Sequence, residues 1–365
     1  MDERTLLQLV PALPPPYEGV GSHALRLAEA LETGGGMASR FLVLGPGGGD
    51  AEDRPGVFHL RERTGPALRR LVDRALASTS APRVLLHYSN YGYAPRGCPR
   101  WLAAGLESWR RETSDGRLVT VFHEVSAAGA PWQSSFWLRP VQRRIAARVA
   151  RASDAAVTSL ERYASELRHL GAPAPPEVLP VFSAVGEPRD VPALADRPRR
   201  LVVFGGPGTR SRAYREHRDE LEIACRSLDV EEIVDVGPAL DDEVEWPGRP
   251  PVRRRGPLDS REVRRVLLGA RAGFLAYPRE FLPKSTVFAA YCAHGLLPVQ
   301  AWRPEAAARA ESPSPLAWVP SARRLMELDG GGQALADRAR AWYRPHRLEA
   351  QAALFRHLLD HGAGS

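Results

Sequence analysis

Lys284 is the only lysine of the chain, although lysine and arginine together number 50 among the 365 residues. It follows a tight loop at 279–283 and stands immediately before Ser285 and Thr286, at the predicted start of the helix "STVFAAYCAHG". Backbone N–H groups at a helix start, two hydroxyl groups and an ammonium group together favour a phosphate. The segment therefore predicts a phosphate site. The alternative is a surface lysine beside a serine that only caps the helix.

A glycine turn near the N-terminus offers further backbone donors. The segment "EGVGSHALRLAEAL" places Gly19, Val20 and Gly21 between a predicted strand and a helix that begins near Ser22. Glycine lets the backbone come close to a bound group, and the amides of a helix start favour an anion. The spacing is neither the dinucleotide-binding G-x-G-x-x-G nor a Walker A loop, and a plain turn is the alternative.

A second glycine turn, "VVFGGPGTRSR", also follows a predicted strand. Gly206 gives the backbone the same freedom, and Arg210 could supply a planar fork of donors to phosphate oxygens. Because arginine is abundant throughout the chain, Arg210 by itself is weak evidence.

Polar and aromatic side chains follow two predicted strands of the first half. His123 and Glu124 lie where the strand "RLVTVFH" ends, and Asn90, Tyr91 and Tyr93 follow the strand "RVLLHYS". A histidine at a strand end could bind or orient a substrate hydroxyl, although a lone histidine often has a structural role. The amide and the two tyrosines suit a hydroxyl-rich or ring-shaped ligand, and they would also suit any exposed loop.

Short apolar runs alternate with longer amphipathic segments along the whole chain, which is typical of βα units and parallel sheets. We predict an α/β protein with two Rossmann-like domains that face each other across a cleft, with ligands beyond the carboxyl ends of the strands. The predicted parts are a first domain at 1–185, a proline-rich linker at 186–199, a second domain at 200–345, and a C-terminal helix at 346–365 that packs back toward the first domain.

Composition narrows the class of protein. The net charge of +7 suits an anionic substrate or an anionic membrane surface, or simply a solvated arginine-rich surface. No basic stripe is interleaved with aromatic residues, so we predict no nucleic-acid binding. Cys98, Cys225 and Cys292 lie far apart without a metal or disulfide pattern, which suits a reducing cytoplasm. We predict neither a signal peptide nor a membrane span, and therefore a cytoplasmic protein.

In order along the whole chain, these segments resemble the GT-B glycosyltransferases, in particular the retaining family 4 enzymes that use nucleotide-diphosphate sugars. "EGVGSHALRLAEAL" resembles the N-terminal glycine loop of that family, and "VFHE" its strand-end histidine. "REFLPKSTVFAAYCAHGLLPV" resembles its E-G-F-G-x-x-x-x-E-A-x-A-x-G-x-P-V-V segment. The resemblance implies an N-terminal domain that binds the acceptor, a C-terminal domain that binds the donor, and sugar transfer with retention of the anomeric configuration.

The resemblance also implies roles for single residues of the donor site. Glu280 takes the place of the first glutamate of the family's E-x7-E motif, near the donor sugar, and Phe288 stands where the second glutamate, a ribose ligand, would be. Leu258 and Phe288 are the two residues expected to contact the nucleoside. The loop residues that would face the donor sugar are Phe281, Leu282 and Pro283.

Loss of the nucleotide leaves negative charge on the diphosphate, so catalysis needs cations and amides aimed at those oxygens. The implied diphosphate ligands are Gly19, Val20, Gly21, Gly206, Arg210, Lys284, Ser285 and Thr286. The family pairs its arginine with a following lysine that this chain lacks, and we infer that Lys284 supplies the ammonium instead. His123, Glu280 and Lys284 are the expected catalytic residues.

The predicted co-substrate is a UDP- or GDP-sugar. Without a D-x-D motif, we predict no metal and no other cofactor. The acceptor, expected to be a soluble small molecule or glycan, would be bound by Asn90, Tyr91, Tyr93 and Glu124, in a monomer or homodimer. The alternative function is a catalytically inactive GT-B protein that binds a nucleotide or a partner.

Overall fold

The computed structural model describes residues 4–14, 19–46, 54–127, 132–240, 246, 249–301, 316–318, 320 and 332–361. By their contacts, the residues form two compact units. The first unit comprises Met1–Pro180 and Leu348–Ser365, and the second comprises Val181–Arg347. Each unit is built around one parallel sheet.

The sheet of the first unit has the strand order β3-β2-β1-β4-β5-β6-β7, and every neighbouring pair is parallel. Its strands are Arg4–Val10 (β1), Met37–Val43 (β2), Val57–His59 (β3), Arg83–Tyr88 (β4), Arg117–Phe122 (β5), Ala155–Thr158 (β6) and Glu177–Val178 (β7). Its helices are Gly19–Gly35 (α1), Gly65–Ala75 (α2), Asn90–Tyr93 (α3), Arg100–Glu112 (α4), Ser134–Ala152 (α5), Glu161–His169 (α6) and Leu348–His361 (α12).

The sheet of the second unit has the order β10-β9-β8-β11-β12, again with parallel neighbours. Its strands are Arg200–Phe204 (β8), Glu232–Val236 (β9), Val252–Arg254 (β10), Ala272–Ala276 (β11) and Leu297–Ala301 (β12). Its α-helices are Pro207–Arg215 (α7), Arg218–Ser227 (α8), Ser260–Leu268 (α9), Thr286–Ala293 (α10) and Gln333–Tyr343 (α11). Short 3-10 helices span Leu194–Asp196, Arg279–Lys284 and Arg344–His346.

The central strands are nearly continuous apolar runs rather than alternating ones. In β1 every residue after Arg4 is buried, and in β11 all five residues are buried. A parallel strand that is covered on both faces has this pattern, because both rows of side chains enter a core. The sequence pattern therefore explains why these strands form sheets that are covered on both faces.

The last helix completes the first unit. α12 packs on α1, and Asp360 near its end forms ion pairs with Arg4 at 3.3 Å and Arg83 at 2.9 Å. Gln351 of α12 donates to the Pro180 carbonyl oxygen at 2.7 Å. The first unit is thus built from two separate parts of the sequence.

The predicted α/β class with two sheets of parallel strands is confirmed, while several element boundaries differ. α1 begins at Gly19 rather than near Ser22. The segment 186–199, predicted to be a linker, belongs by its contacts to the second unit, where the guanidinium of Arg197 donates to two buried carbonyl oxygens. Among the described helices, none is long and apolar enough to cross a membrane.

Candidate functional site

Two helix N-termini meet at the carboxyl edge of the second sheet. β8 and β11 are neighbours, and α7 follows β8 through Gly205 and Gly206, while α10 follows β11 through the 3-10 helix. A Cβ atom at Gly205 would lie 3.2 Å from Cγ2 of Val287, so the start of α10 packs against the glycine turn. Because the first amides of a helix lack intrahelical acceptors, this edge presents partial positive charge from two helices. Such an edge favours an anion.

The glycine turn itself is open to a ligand. Gly205 has a φ of 133°, a backbone conformation that favours glycine. A Cβ atom built on Gly206 or Gly208 would have no described heavy atom within 4 Å. The backbone can therefore come into direct contact with a bound group at these positions.

Lys284 is the last residue of the 3-10 helix and precedes Ser285, the residue before α10. Its side chain is half-buried, and the adjacent Ser285 caps α10 by accepting a hydrogen bond from the Phe288 amide at 3.2 Å. Thr286 is the first residue of α10 and is half-buried, whereas Glu280 on the 3-10 helix is exposed. Lys284, Ser285, Thr286 and Gly206 thus lie at the starts of the two helices that meet.

The Ser285 cap gives a first testable prediction. Ser285→Ala removes the acceptor for the Phe288 amide and is expected to lower the free energy of unfolding by about 1 kcal/mol. Urea unfolding followed by circular dichroism measures the change. Ser89→Ala is the matched control, because Ser89 also precedes a helix but makes no capping hydrogen bond with its side chain. An equal loss in both variants would contradict the capping role.

Arg210 is not arranged as expected for a phosphate ligand. Its guanidinium is 3% exposed and binds the fully buried carboxylate of Asp235, with Nε at 3.1 Å from Oδ2 and a second contact from Nη2 to Oδ1. A third donor, Nη1, binds the Pro238 carbonyl oxygen. Tyr214 also donates to Asp235 at 2.9 Å. The side chain therefore joins α7 to the end of β9, and its donors face inward.

The expected nucleoside and sugar contacts include two core side chains. Phe288 is fully buried with its ring 5.5 Å from that of Trp342, and Leu282 is 4% exposed in the same apolar core. Leu258 is half-buried and packs on that core as well. The reason is positional: residue 288 lies on the inward side of α10, where a phenyl ring fills a cavity that a glutamate could not occupy without burying its charge.

The segment 281–283 also has few backbone N–H groups that could bind a donor sugar. Phe281 is half-buried and its amide binds the Pro278 carbonyl oxygen at 3.1 Å, while Pro283 has no N–H group to donate. The carbonyl oxygen of Pro283 accepts from the Val181 amide at 2.9 Å. Among the residues expected to bind the donor sugar, the exposed Glu280 is the one whose polar side chain faces solvent.

Three histidines lie together at the carboxyl edge of the first sheet. His123 follows β5, His87 lies near the end of β4, and His23 lies in the second turn of α1. Nδ1 of His87 is 3.3 Å from Nε2 of His123, and the ring of His23 packs edge-on against both, with centroids 5.8 and 5.5 Å away. Burial lowers the pKa of His23 to about 4, and burial and the adjacent His23 hold the pKa of His87 well below its usual value.

Sequence reasoning selected His123 but missed His23 and His87. The available signal was that His87 occupies the end of β4 as His123 follows the end of β5, so that both would reach one edge of a parallel sheet. Among the described residues, no group of three or more His, Cys, Asp or Glu side chains is placed to hold a metal ion.

The glycine segment of the first unit forms the first turn of α1 rather than a loop before it. Gly19 is exposed, Val20 is half-buried and Gly21 is buried. Their amides are those of a 17-residue helix start, which retains the electrostatic preference for an anion although the backbone is helical.

Two of the four residues expected to bind the acceptor are buried. Asn90 is fully buried and donates to the Val125 carbonyl oxygen at 3.2 Å, and the hydroxyl of the fully buried Tyr93 donates to the His87 carbonyl oxygen at 2.7 Å. They fix the loop after β4. Tyr91 is 41% exposed and Glu124 is half-buried, so both have surface in contact with solvent.

Exposed aromatic residues follow β4 and β5 in the sequence. Trp132 is 85% exposed and Trp137 71% exposed, and Phe136 packs edge-on against Trp137 with centroids 5.4 Å apart. Gln142 of α5 lies 3.4 Å from the Tyr91 hydroxyl, which joins this helix to the loop after β4. Exposed large aromatic side chains such as these are candidates for contact with a ligand.

No protein-family model matches the chain, and no curated protein matches its sequence. Solved structures do match over nearly its full length. α,α-Trehalose 6-phosphate synthase from Burkholderia multivorans is 12% identical with a TM-score of 0.59, covering 99% of this chain and 97% of that chain. Anabaena Alr3699/HepE in complex with UDP-glucose is 13% identical with a TM-score of 0.57, covering 97% and 100%.

A third similar structure, the spinosyn forosaminyltransferase SpnP, is 16% identical with a TM-score of 0.50 and covers 99% of this chain and 100% of that chain. These neighbours are GT-B glycosyltransferases with two Rossmann-like domains. At such low identity the likeness concerns the fold: the chain has two Rossmann-like units of the GT-B type.

Proposed function

We propose that the chain is a glycosyltransferase that moves a sugar from a nucleotide-diphosphate sugar to an acceptor. The observation that carries the proposal is the meeting of the α7 and α10 starts beside Lys284 at the carboxyl edge of the second sheet. A diphosphate bound there would receive backbone N–H groups from both helices and an ammonium group from Lys284. The GT-B neighbours, one of them bound to UDP-glucose, support this class of ligand and make UDP the first nucleotide to test.

The chemistry follows from the leaving group. Cleavage of the anomeric bond places charge on the diphosphate, and preorganised donors that face this charge lower the barrier. Lys284, the amides of Thr286 and Val287, and the open backbone at Gly206 would provide them. Arg210 has no direct part in this site, because its donors are engaged by Asp235. These groups would stabilise the leaving group without a metal ion.

His123 would bind and orient a substrate hydroxyl in this scheme. As the family resemblance implies, transfer would proceed with retention, by attack on the face from which the nucleotide departs, with the departing phosphate assisting deprotonation of the acceptor. Glu280, which is exposed beside the phosphate site, would accept hydroxyl groups of the donor sugar.

The acceptor would be bound by the first unit. Tyr91, Trp132 and Trp137 provide exposed aromatic rings that can stack on a sugar ring or on an apolar molecule, and Glu124 provides an acceptor for hydroxyl groups. This favours an acceptor with a planar or apolar face, which includes many small molecules and glycans.

Nucleotide binding tests the proposal directly. UDP or GDP is expected to raise the unfolding temperature, because a ligand at 100 times its Kd stabilises the native state by about 2.7 kcal/mol. Uridine and guanosine are the matched controls and should give little shift, since they lack the diphosphate. Release of UDP or GDP from UDP- or GDP-sugars should then continue in the presence of EDTA. If no nucleotide or nucleotide sugar stabilises the protein, the proposal is wrong.

A second candidate is a GT-B protein that binds a nucleotide but transfers no sugar. It is favoured by Phe288, which fills the core where the family has a ribose-binding glutamate. Calorimetry that detects UDP or GDP binding, together with no release of nucleotide from any nucleotide sugar, would favour this candidate over the transferase.

A further inference from the structure

A diagonal row of polar side chains crosses one face of the first sheet. Ser39, Gln8 and His87 belong in turn to β2, β1 and β4, and His123 directly follows β5; these four strands are consecutive neighbours in the sheet. Nε2 of Gln8 donates to Ser39 Oγ at 3.0 Å, Nε2 of His87 lies 2.9 Å from Gln8 Oε1, and Nδ1 of His87 lies 3.3 Å from Nε2 of His123. We call these four residues the polar ladder.

The strand register explains why the ladder forms. Ser39 is paired with Leu6, and Gln8 lies two residues further along β1; Gln8 is paired with Leu85, and His87 lies two residues further along β4. His87 is in turn paired with Val121, two residues before His123. Because side chains two residues apart in a strand share a face, each step stays on one face and moves toward the carboxyl edge.

The two middle members of the ladder are sealed from water, and Ser39 and His123 at its two ends are half-buried. Gln8 and His87 are fully buried, and His23 of α1, which is 6% exposed, packs against both ladder histidines. His123, which is half-buried, is the ladder residue that lies at the carboxyl edge of the sheet. A buried row of polar groups in an apolar core is costly unless its members are hydrogen-bonded to one another, and here each member is.

The hydrogen bonds of the ladder all point the same way, from His123 to His87 and from His87 to Gln8. With the Gln8 amide oriented so that its Nε2 donates to Ser39, its Oε1 faces His87 and can only accept, so Nε2 of His87 carries the hydrogen of that bond. Burial keeps the pKa of His87 well below its usual value, so the ring has a single proton and its Nδ1 is an acceptor. The hydrogen between the two rings therefore belongs to Nε2 of His123.

We propose that Gln8 and His87 are positioning residues that fix His123 as its Nε2–H tautomer, so that Nδ1 of His123 accepts a hydrogen bond from a substrate hydroxyl. This assigns His123 an accepting role toward sugar hydroxyls, and excludes it as a donor to a phosphate or carbonyl oxygen. The substrate part rests on the proposed function, whereas the tautomer depends on the ladder alone.

The tautomer can be measured without any substrate. Long-range ¹H–¹⁵N spectra of the full chain with ¹⁵N-labelled histidine, at pH 7.5, distinguish the Nε2–H and Nδ1–H tautomers and the imidazolium ion. We expect Nε2–H signals for both His87 and His123, assigned by their loss in His87→Asn and His123→Asn. Observation of His123 as the Nδ1–H tautomer or as the cation in the wild-type protein would overturn the proposal.

A variant tests the positioning role. Gln8→Leu removes the acceptor for His87 and should leave His123 as a mixture of tautomers. Gln351→Leu is the matched control, because Gln351 is also a buried glutamine of the first unit, 2% exposed, and donates to the backbone carbonyl oxygen of Pro180, away from the polar ladder. An unchanged His123 tautomer in folded Gln8→Leu protein would refute the role of Gln8.

Affinity provides a readout that a merely structural role would not move. Gln8→Leu should bind UDP as the wild-type protein does, yet bind the UDP-sugar roughly fivefold to tenfold more weakly, the effect of one neutral hydrogen bond. Equal losses for UDP and the UDP-sugar, or no loss for either, would contradict the inference. If the wild-type protein binds no nucleotide at all, the proposed function fails, while the spectra still decide the tautomer.

Discussion

Replacing Lys284 with alanine is expected to weaken UDP binding roughly tenfold to a hundredfold while the protein stays folded, since a hydrogen bond to a charged group contributes about 1.5–3 kcal/mol. The ammonium group stands at the start of α10, where the first amides of two helices already favour an anion. Its loss removes the only full positive charge that the proposed site places against the diphosphate. Isothermal titration calorimetry with UDP, or with GDP if that nucleotide binds, measures the effect.

Arg261→Ala is the control for this experiment. Arg261 is an exposed cation of the same unit on α9, so its removal changes the net charge equally without touching the proposed site. The UDP affinity of the Arg261→Ala variant should match that of the wild-type protein. A Lys284→Ala variant with native circular dichroism and unchanged affinity would remove Lys284 from the site, and equal losses in both variants would indicate only a general effect of charge.

The second large effect concerns stability rather than binding. Asp235→Ala is expected to lower the free energy of unfolding by about 3–5 kcal/mol, because it leaves the guanidinium of Arg210 buried without its partner. Urea unfolding monitored by circular dichroism measures the loss. Glu231→Ala is the control, since Glu231 also pairs with an arginine but is 60% exposed, and its removal should change the unfolding midpoint little.

A double variant separates the structural role of Arg210 from the phosphate-binding role expected for it. Arg210→Met combined with Asp235→Asn removes both buried charges and retains an oxygen for the hydroxyl of Tyr214. It should recover most of the lost stability and bind UDP with wild-type affinity. If the double variant is stable but its UDP affinity falls tenfold or more, Arg210 contacts the diphosphate after all.

The elements that hold the site were predictable because their signals are local. Apolar runs such as "TLLQLV" and "AGFLA" identify β1 and β11, and the serine before "TVFAAYCA" identifies the start of α10. Parallel strands then place the residues that follow them at one edge. These local signals are enough to predict that Gly206, Lys284, Ser285 and Thr286 lie at the same edge of the second sheet.

What sequence reasoning missed depends on contacts between distant residues. Nothing near Arg210 indicates that Asp235 will neutralise it, because the pairing requires α7 to pack against the end of β9. The inward orientation of Phe288 depends on Trp342, which lies far along the chain. Likewise, the polar ladder joins Gln8 to His87 across 79 positions, and only the strand order brings them together.

The position of α12 has a consequence for the order in which the chain folds. The first unit begins the sequence, yet its helix α1 is covered by α12, and Arg4 and Arg83 find their partner Asp360 only there. During synthesis, the strands that carry the polar ladder emerge early, whereas the helix that completes their unit emerges after the whole of the second unit. The unit translated first is therefore the unit finished last.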